Sequence, residues 1–201
     1  LSGKTYKGMV NGWPGQMTGP EVITSMIKYA AKTNGGFDPS TGYNYPQLIS
    51  KFTMGAVSYN QAVNNYLAGK LKAENKPNSK PYKDGKHYTG KEHSWDEAFG
   101  YWGAAAHALK LTAKQNYDVA KMKDLSAADA NGDGLIDLKS EYNFGHAYYA
   151  ADSDKAGTKY MHTIVGAFID GRKLISEADG SALSDKQRMQ LMNYAKTIKT
   201  N

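Results

Sequence analysis

Along most of this chain the apolar residues recur at spacings of three and four, and clean alternation over four or more residues is absent. A strand that buries one face needs alternation, whereas a helix that buries one face needs the longer period. The pattern therefore confines the chain to an all-α array of about six helices. Its 201 residues suffice for one substantial core and are few for two. The expected organisation is an irregular, Gly-rich lead-in over 1–17 and a single helical domain over 18–201.

Local signals place the helices. Gly19-Pro20-Glu21 predicts a helix start, with Pro in the first turn and an acid beside the positive dipole end. Val22, Ile23, Met26, Ile27 and Ala30 form its apolar stripe, and Gly35-Gly36 predicts its end. A second helix is predicted from about Pro46 to Lys72, carrying Leu48, Ile49, Phe52, Ala56, Tyr59, Val63, Tyr66 and Leu67. The prolines, asparagines and glycine of 73–88 predict an irregular basic loop. A third helix begins near Thr89 and carries Trp95, Ala98, Phe99 and Trp102, and a short Ala/Lys helix follows. Helices at about 155–177 and 184–199, the last capped by Ser184, close the chain.

The stretch Asp129-Ala130-Asn131-Gly132-Asp133-Gly134-Leu135-Ile136-Asp137 puts oxygen-bearing side chains at loop positions 1, 3, 5 and 9. A glycine stands at position 6, where the chain must turn sharply, and an apolar Ile136 at position 8. This is the ligand spacing of an EF-hand-type calcium loop, in which the Leu135 carbonyl supplies position 7. Three acceptors converge from Asp129, Asn131 and Asp133 where a cation offsets their repulsion. Position 12, which ordinarily carries a bidentate Glu, is Ser140, and Glu141 follows it. If the exit helix begins near Asp137, Glu141 lies one turn on and closes the site over 129–141. The calcium set read from the sequence is thus Asp129, Asn131, Asp133, Leu135, Asp137 and Glu141. With one such loop rather than a pair, the ion is structural rather than a switch.

A second candidate site lies in Glu92–Gly103. On one helix, Glu92/Asp96 and His93/Glu97 are i, i+4 pairs, opposite an apolar stripe of Trp95, Phe99 and Trp102. Carboxylates and imidazole on one helical face, with His146 from a later helix, suit a transition metal such as iron or zinc, and the alternative function is a metal-binding protein or a metal-dependent hydrolase using Glu92, His93, Asp96 and Glu97. Two structural readings compete, because Thr89–Glu92 and Ser94–Glu97 both fit a capping box. On the structural reading His93 and Glu97 face inward and bond to Tyr142, Asn143 or His146.

Net charge is +6, and seven lysines fall between Lys70 and Lys91. That density fits either a solvated loop or a salt-sensitive contact with an anionic polysaccharide or anionic lipid, rather than nucleic acid, for which no helix-turn-helix, zinc-finger or RNA-binding signature is found. There is no cysteine, which excludes thiol chemistry and Cys-ligated zinc, and no apolar run of membrane-spanning length. No phosphate loop, nucleophile elbow or HExxH motif is found, so the expected role is binding rather than catalysis. Leu1 is not an initiator methionine, and the expectation is a processed chain or part of a longer one.

Three segments follow one another in a familiar order: Lys51-Phe52-Thr53-Met54-Gly55-Ala56, then His93-Ser94-Trp95-Asp96-Glu97-Ala98-Phe99-Gly100-Tyr101, then the run from Asp133-Gly134-Leu135-Ile136-Asp137 to His146. In these the chain resembles a bacterial domain-of-unknown-function family of exported or lipoprotein-like proteins. The resemblance implies a helical fold and a place in the periplasm or at the cell surface, where the partner would be another cell-envelope protein or an anionic polysaccharide. The chain is also distantly similar in style to imelysin-like helical proteins, which pair a helical His with an acid. Their GxHxxE spacing is replaced here by His93-x-x-x-Glu97.

Overall fold

Thr18 starts the first helix by a reciprocal cap: its backbone N–H and hydroxyl both donate to Glu21 Oε2, at 2.8 and 2.6 Å. The computed structural model describes residues 3–13, 15–72 and 76–201. Among these are seven α-helices and one two-stranded sheet, so the fold is helical as the apolar period requires. The chain divides into two compact units, Leu1–Gln61 and Ala62–Asn201.

In the first unit α1 spans Gly19–Ala30 and α2 spans Tyr45–Thr53, joined through a short antiparallel hairpin of β1 (Phe37–Asp38) and β2 (Tyr43–Asn44). Asn44 caps α2 by accepting from Gln47 N–H. Gly36 adopts φ +77°, and a side chain there would meet the Pro46 ring, so both space and conformation require glycine. Val22, Ile23, Met26 and Tyr45 form the core. Ile27, placed on the stripe by spacing alone, is exposed at 53%.

Beyond α2 the predicted helix to Lys72 takes another form, a π-helix over Met54–Tyr66 and a 3₁₀ turn over Gly69–Leu71. The buried residues here are Ala56 and Val57, Gln61 and Ala62, Tyr66 and Leu67, and then Leu71. Pairs spaced by five suit the wider i→i+5 turn, whereas a period of 3.6 would rotate them off one face. Tyr59, chosen for its α-helical spacing, is exposed.

In the second unit α3 spans Gly90–Trp102, α4 Ala113–Ala120, α5 Gly145–Asp154, α6 Tyr160–Glu177 and α7 Asp185–Thr200. Ser184 caps α7 as the sequence predicts, accepting from Gln187 N–H. Helix α6 packs against α3, α5 and α7, and its Phe168 ring meets those of Trp95, Phe99 and Trp102. Trp95, 1% exposed, donates its indole N–H to the Phe168 carbonyl at 2.8 Å. Gly171 lets α6 approach that indole, since a Cβ there would lie 2.2 Å from a ring carbon. Gly171→Ala is therefore expected to lower unfolding free energy by about 1–3 kcal/mol, read from denaturant melts. No helix among the described residues is long and apolar enough to cross a membrane.

Residues 76–88 of the predicted basic loop are irregular apart from a bridge between Pro81 and Thr89, and residues 73–75 lie outside the described residues. Asn78, 4% exposed, fixes this segment by donating to the Ile175 and Ser181 carbonyls and accepting from the Thr89 hydroxyl. Lys91 is not part of a basic surface. It is 3% exposed, and its Nζ donates to the carbonyls of Lys70 and Lys72, each at 2.8 Å.

Candidate functional site

The loop 129–141 is anchored at both ends before its acids come into play. Ala128 is fully buried at its entry. At its exit Ala106 N–H donates to the Ser140 carbonyl, Ala105 N–H to Asn143 Oδ1, and Phe144 N–H to the Gly103 carbonyl. Asn143 Nδ2 in turn donates to Asn116 of α4, and the Tyr142 hydroxyl to the Ala120 carbonyl. The loop thus hangs from α3 and α4. It differs from the predicted helix–loop–helix: α4 ends at Ala120, α5 begins at Gly145, and the exit from Asp137 is one turn in which the Asp137 carbonyl accepts from Ser140 and Glu141 N–H. The bonds tying the Ser140 carbonyl and the Phe144 N–H to the end of α3 use backbone groups that a continuing exit helix would need.

Within the loop the acids grip the backbone. Asp129 Oδ1 accepts from Gly132 and Asp133 N–H, and Oδ2 from Gly134 N–H. Asn131 Oδ1 accepts from Asp133 N–H and Asp133 Oδ1 from Leu135 N–H. These turns require Gly132 and Gly134 at φ +77° and +80°. The amide of Gly134 foremost, then those of Gly132, Asp133 and Asn131, holds the Asp129 carboxyl below its ordinary pKa despite some desolvation. Glu141, 4% exposed, braces the loop from inside: Oε1 accepts from Ala130 and Asn131 N–H at 3.0 and 3.3 Å, and Oε2 from Asp137 N–H at 2.9 Å. Asp137 turns outward to accept from Lys139 N–H and the Ser140 hydroxyl, and the first of these bonds chiefly lowers its pKa. Asp129, Asn131 and Asp133 are thus gathered on one stretch, with Glu141 reaching its start and Asp137 facing its exit. Leu135 is exposed at 71%.

The residues of Glu92–Glu97 are drawn to different neighbours. Thr89–Glu92 is the true capping box, with Glu92 N–H donating to Thr89 Oγ1 and Thr89 N–H to Glu92 Oε2. Glu92 Oε1 also receives Arg172 Nη1 at 2.6 Å and the Ser176 hydroxyl at 2.9 Å, while Arg172 Nε reaches Asp96 at 2.9 Å. Burial works against ionisation of Glu92, but the Thr89 amide, the Ser176 hydroxyl and Arg172 together hold its pKa below the ordinary value. His93 and Glu97 do pair, at 3.6 Å. The His93 ring, however, stacks on Tyr82 at 3.8 Å and faces Tyr88 at 5.7 Å, rather than meeting Tyr142, Asn143 or His146. The reason is rotation: burying Trp95 turns the His93/Glu97 edge toward the 76–88 segment. His146 lies at the start of α5. Among the described residues no group of three or more His, Asp or Glu side chains is arranged as a ready metal site. His93→Ala is expected to cost about 1 kcal/mol of stability, the scale of one aromatic pair, measured by thermal melting.

Residues 21–193 match the family described as domain of unknown function DUF4856. The chain belongs to this family. No curated protein and no solved structure matches it. The match covers α1 through most of α7, so both compact units carry family sequence. What sequence reasoning missed in this DUF4856 domain is the partner of the Glu92/Asp96 face. Arg172 is one of only two arginines in the chain, and its i, i+4 neighbour Ser176 completes the contact. That scarcity was the one available signal.

Proposed function

We propose that this DUF4856 domain is a calcium-stabilised binding or assembly module of an exported bacterial protein, working by binding rather than catalysis. The observation that carries the reading is the state of the 129–141 acids. Asp129, Asp133, Asp137 and Glu141 form no salt bridge among the described residues, while backbone amides hold Asp129, Asn131 and Asp133 together. Four carboxylates in thirteen residues repel, and a divalent cation offsets that repulsion. The donors fit calcium, which takes six to eight hard oxygens. Asp129, Asn131 and Asp133 would hold the ion, with the Leu135 carbonyl, Asp137 and Glu141 completing the set. A lone loop with its last acid one residue late suits weak binding, with Kd about 10⁻⁴–10⁻³ M, the regime of extracellular modules. This accords with a place in the periplasm or at the cell surface, facing a cell-envelope protein or an anionic polysaccharide.

Elemental analysis of protein dialysed to equilibrium against about 10 mM calcium, with the calcium of the dialysate subtracted, tests the reading. About one calcium per chain is expected, without stoichiometric iron or zinc. Stoichiometric iron or zinc, lost in His93→Ala, would replace it with a transition-metal site at Glu92, His93, Asp96 and Glu97.

A further inference from the structure

The segment 76–88 of the second unit builds a feature of its own in front of α3. Tyr82 N–H donates to the Tyr88 carbonyl at 2.9 Å, and Pro81 bridges Thr89 in antiparallel sense. Tyr82 and Tyr88 therefore face each other across the base of a short turn that closes through Gly85 at φ +73°. Their rings lie 20° from parallel with centroids 6.0 Å apart. His93, in the first turn of α3, lies 3.8 Å from Tyr82 and 5.7 Å from Tyr88, within 30° of parallel to both. Together the three distances set Tyr88 beside the Tyr82–His93 stack rather than above it. The tyrosines thus form a two-ring plate backed by the imidazole, and both rings are partly exposed.

The charge around this plate is one-sided. Residues 76–88 hold four lysines against one acid, Asp84. None of those lysines joins a salt bridge among the described residues. Two of them stand at the plate, with Lys83 Nζ 5.2 Å and Lys76 Nζ 5.6 Å from the Tyr82 centroid. His93 occupies the inner face of that ring, so both ammonium groups lie over the outer one. Lys76 is held there by its backbone. It adopts φ +51°, a conformation non-glycine residues rarely take, and its Cα lies against Gly90, where a Cβ would come within 3.3 Å. A cation over an exposed ring is held more weakly than one hydrogen-bonded to a carboxylate. A carboxylate can therefore draw both heads off the ring and bare its face.

We propose that this plate binds an acidic polysaccharide, with the C–H face of a uronate ring on Tyr82 and Tyr88 and its carboxylate on Lys76 and Lys83. The fit depends on where the ligand carries its charge. A ring touching the plate sits about 3.5–4 Å above it, just beneath ammonium groups at 5.2 and 5.6 Å. The anion must then be attached to the stacked ring itself. A uronate meets that condition, whereas the phosphate of a nucleotide hangs a sugar away from its base. The proposal rests on the binding-module reading, whose partner it names, but not on calcium, since no residue of the plate lies in 129–141.

The test is isothermal titration calorimetry of the whole chain in chelator at physiological salt. The probes are an oligogalacturonate, the same oligomer fully methyl-esterified, and an oligothymidylate of equal charge. Chelator separates the outcome from that of the calcium reading. Saturable binding of the acid is expected, with the ester and the oligothymidylate at least about tenfold weaker. Tyr88→Leu and Lys76→Gln/Lys83→Gln should each weaken the acid about tenfold, whereas Tyr88→Phe should keep it. Lys80→Gln/Lys86→Gln removes the same charge from the same segment and should cost less than about threefold, because screening leaves a diffuse attraction little strength. No saturable binding of the acid, equal losses from the two lysine pairs, or equal binding of the oligothymidylate would overturn the proposal.

Discussion

Arg172→Ala is expected to lower unfolding free energy at pH 7 by about 3 kcal/mol, because it leaves a buried carboxylate without its cation. Glu92 is 9% exposed, and its Oε1 is shared between Arg172 and Ser176. The effect carries a pH signature. In the parent the Glu92 pKa is depressed, so its contribution is present above its unfolded value of about 4.3 and is lost as pH falls through the folded value. Without Arg172, burial is opposed only by the Thr89 amide and the Ser176 hydroxyl, and the carboxylate is held less firmly in its charged form. Urea melts of parent and variant should therefore differ most at neutral pH and converge as Glu92 protonates below about pH 4. A difference that is equal at pH 7 and pH 3.5 would show that packing of the Arg172 stem, rather than the charge pair, supplies the effect.

Glu141→Ala is expected to be comparably costly, about 2–4 kcal/mol, for a different reason. Glu141 has no cationic partner among the described residues; it accepts the N–H groups of Ala130, Asn131 and Asp137 from a buried position. Truncation orphans those donors together and unpins the start of the loop from its end. Glu141→Gln keeps the volume and one acceptor oxygen, so it should fall between alanine and the parent. Hydrogen exchange locates the damage: protection should drop at Ala130, Asn131 and Asp137 while α6 and α7 keep theirs. Uniform loss across the second unit would instead mark Glu141 as a core residue with no special tie to the loop.

These two residues also show how far the sequence reached. The helices were legible wherever period and start signal agreed: α1 begins at Gly19-Pro20-Glu21, Thr89 pairs with Glu92 in one of the two capping boxes read from the sequence, and Ser184 caps α7. The π-helix was not, because Tyr59 and Val63 supplied an α-helical spacing that burial did not honour. The oxygen positions of the 129–141 loop were legible as a local pattern, and the structure gathers Asp129, Asn131 and Asp133 on one stretch. The use of Glu141 as an internal brace was not, since it depends on Ala130 and Asn131 N–H groups ten and more residues away. Likewise Glu92 and Asp96 invited a metal reading because their partner, Arg172, lies some eighty residues along the chain. Spacing reports what shares a helix face; it does not report which neighbour the fold brings to that face.

The central claim, that the 129–141 loop stabilises the fold by holding calcium, is tested most directly by melting the protein across a series of free calcium concentrations. With Kd near 10⁻⁴ M, 10 mM calcium should add about 2.7 kcal/mol, or a Tm rise of roughly 5–10 °C for a domain of this size. Asp133→Ala should remove the rise without altering the calcium-free Tm by more than about 1–2 °C, because its side chain is exposed. A parent Tm that is the same in chelator and in 10 mM calcium would contradict the account.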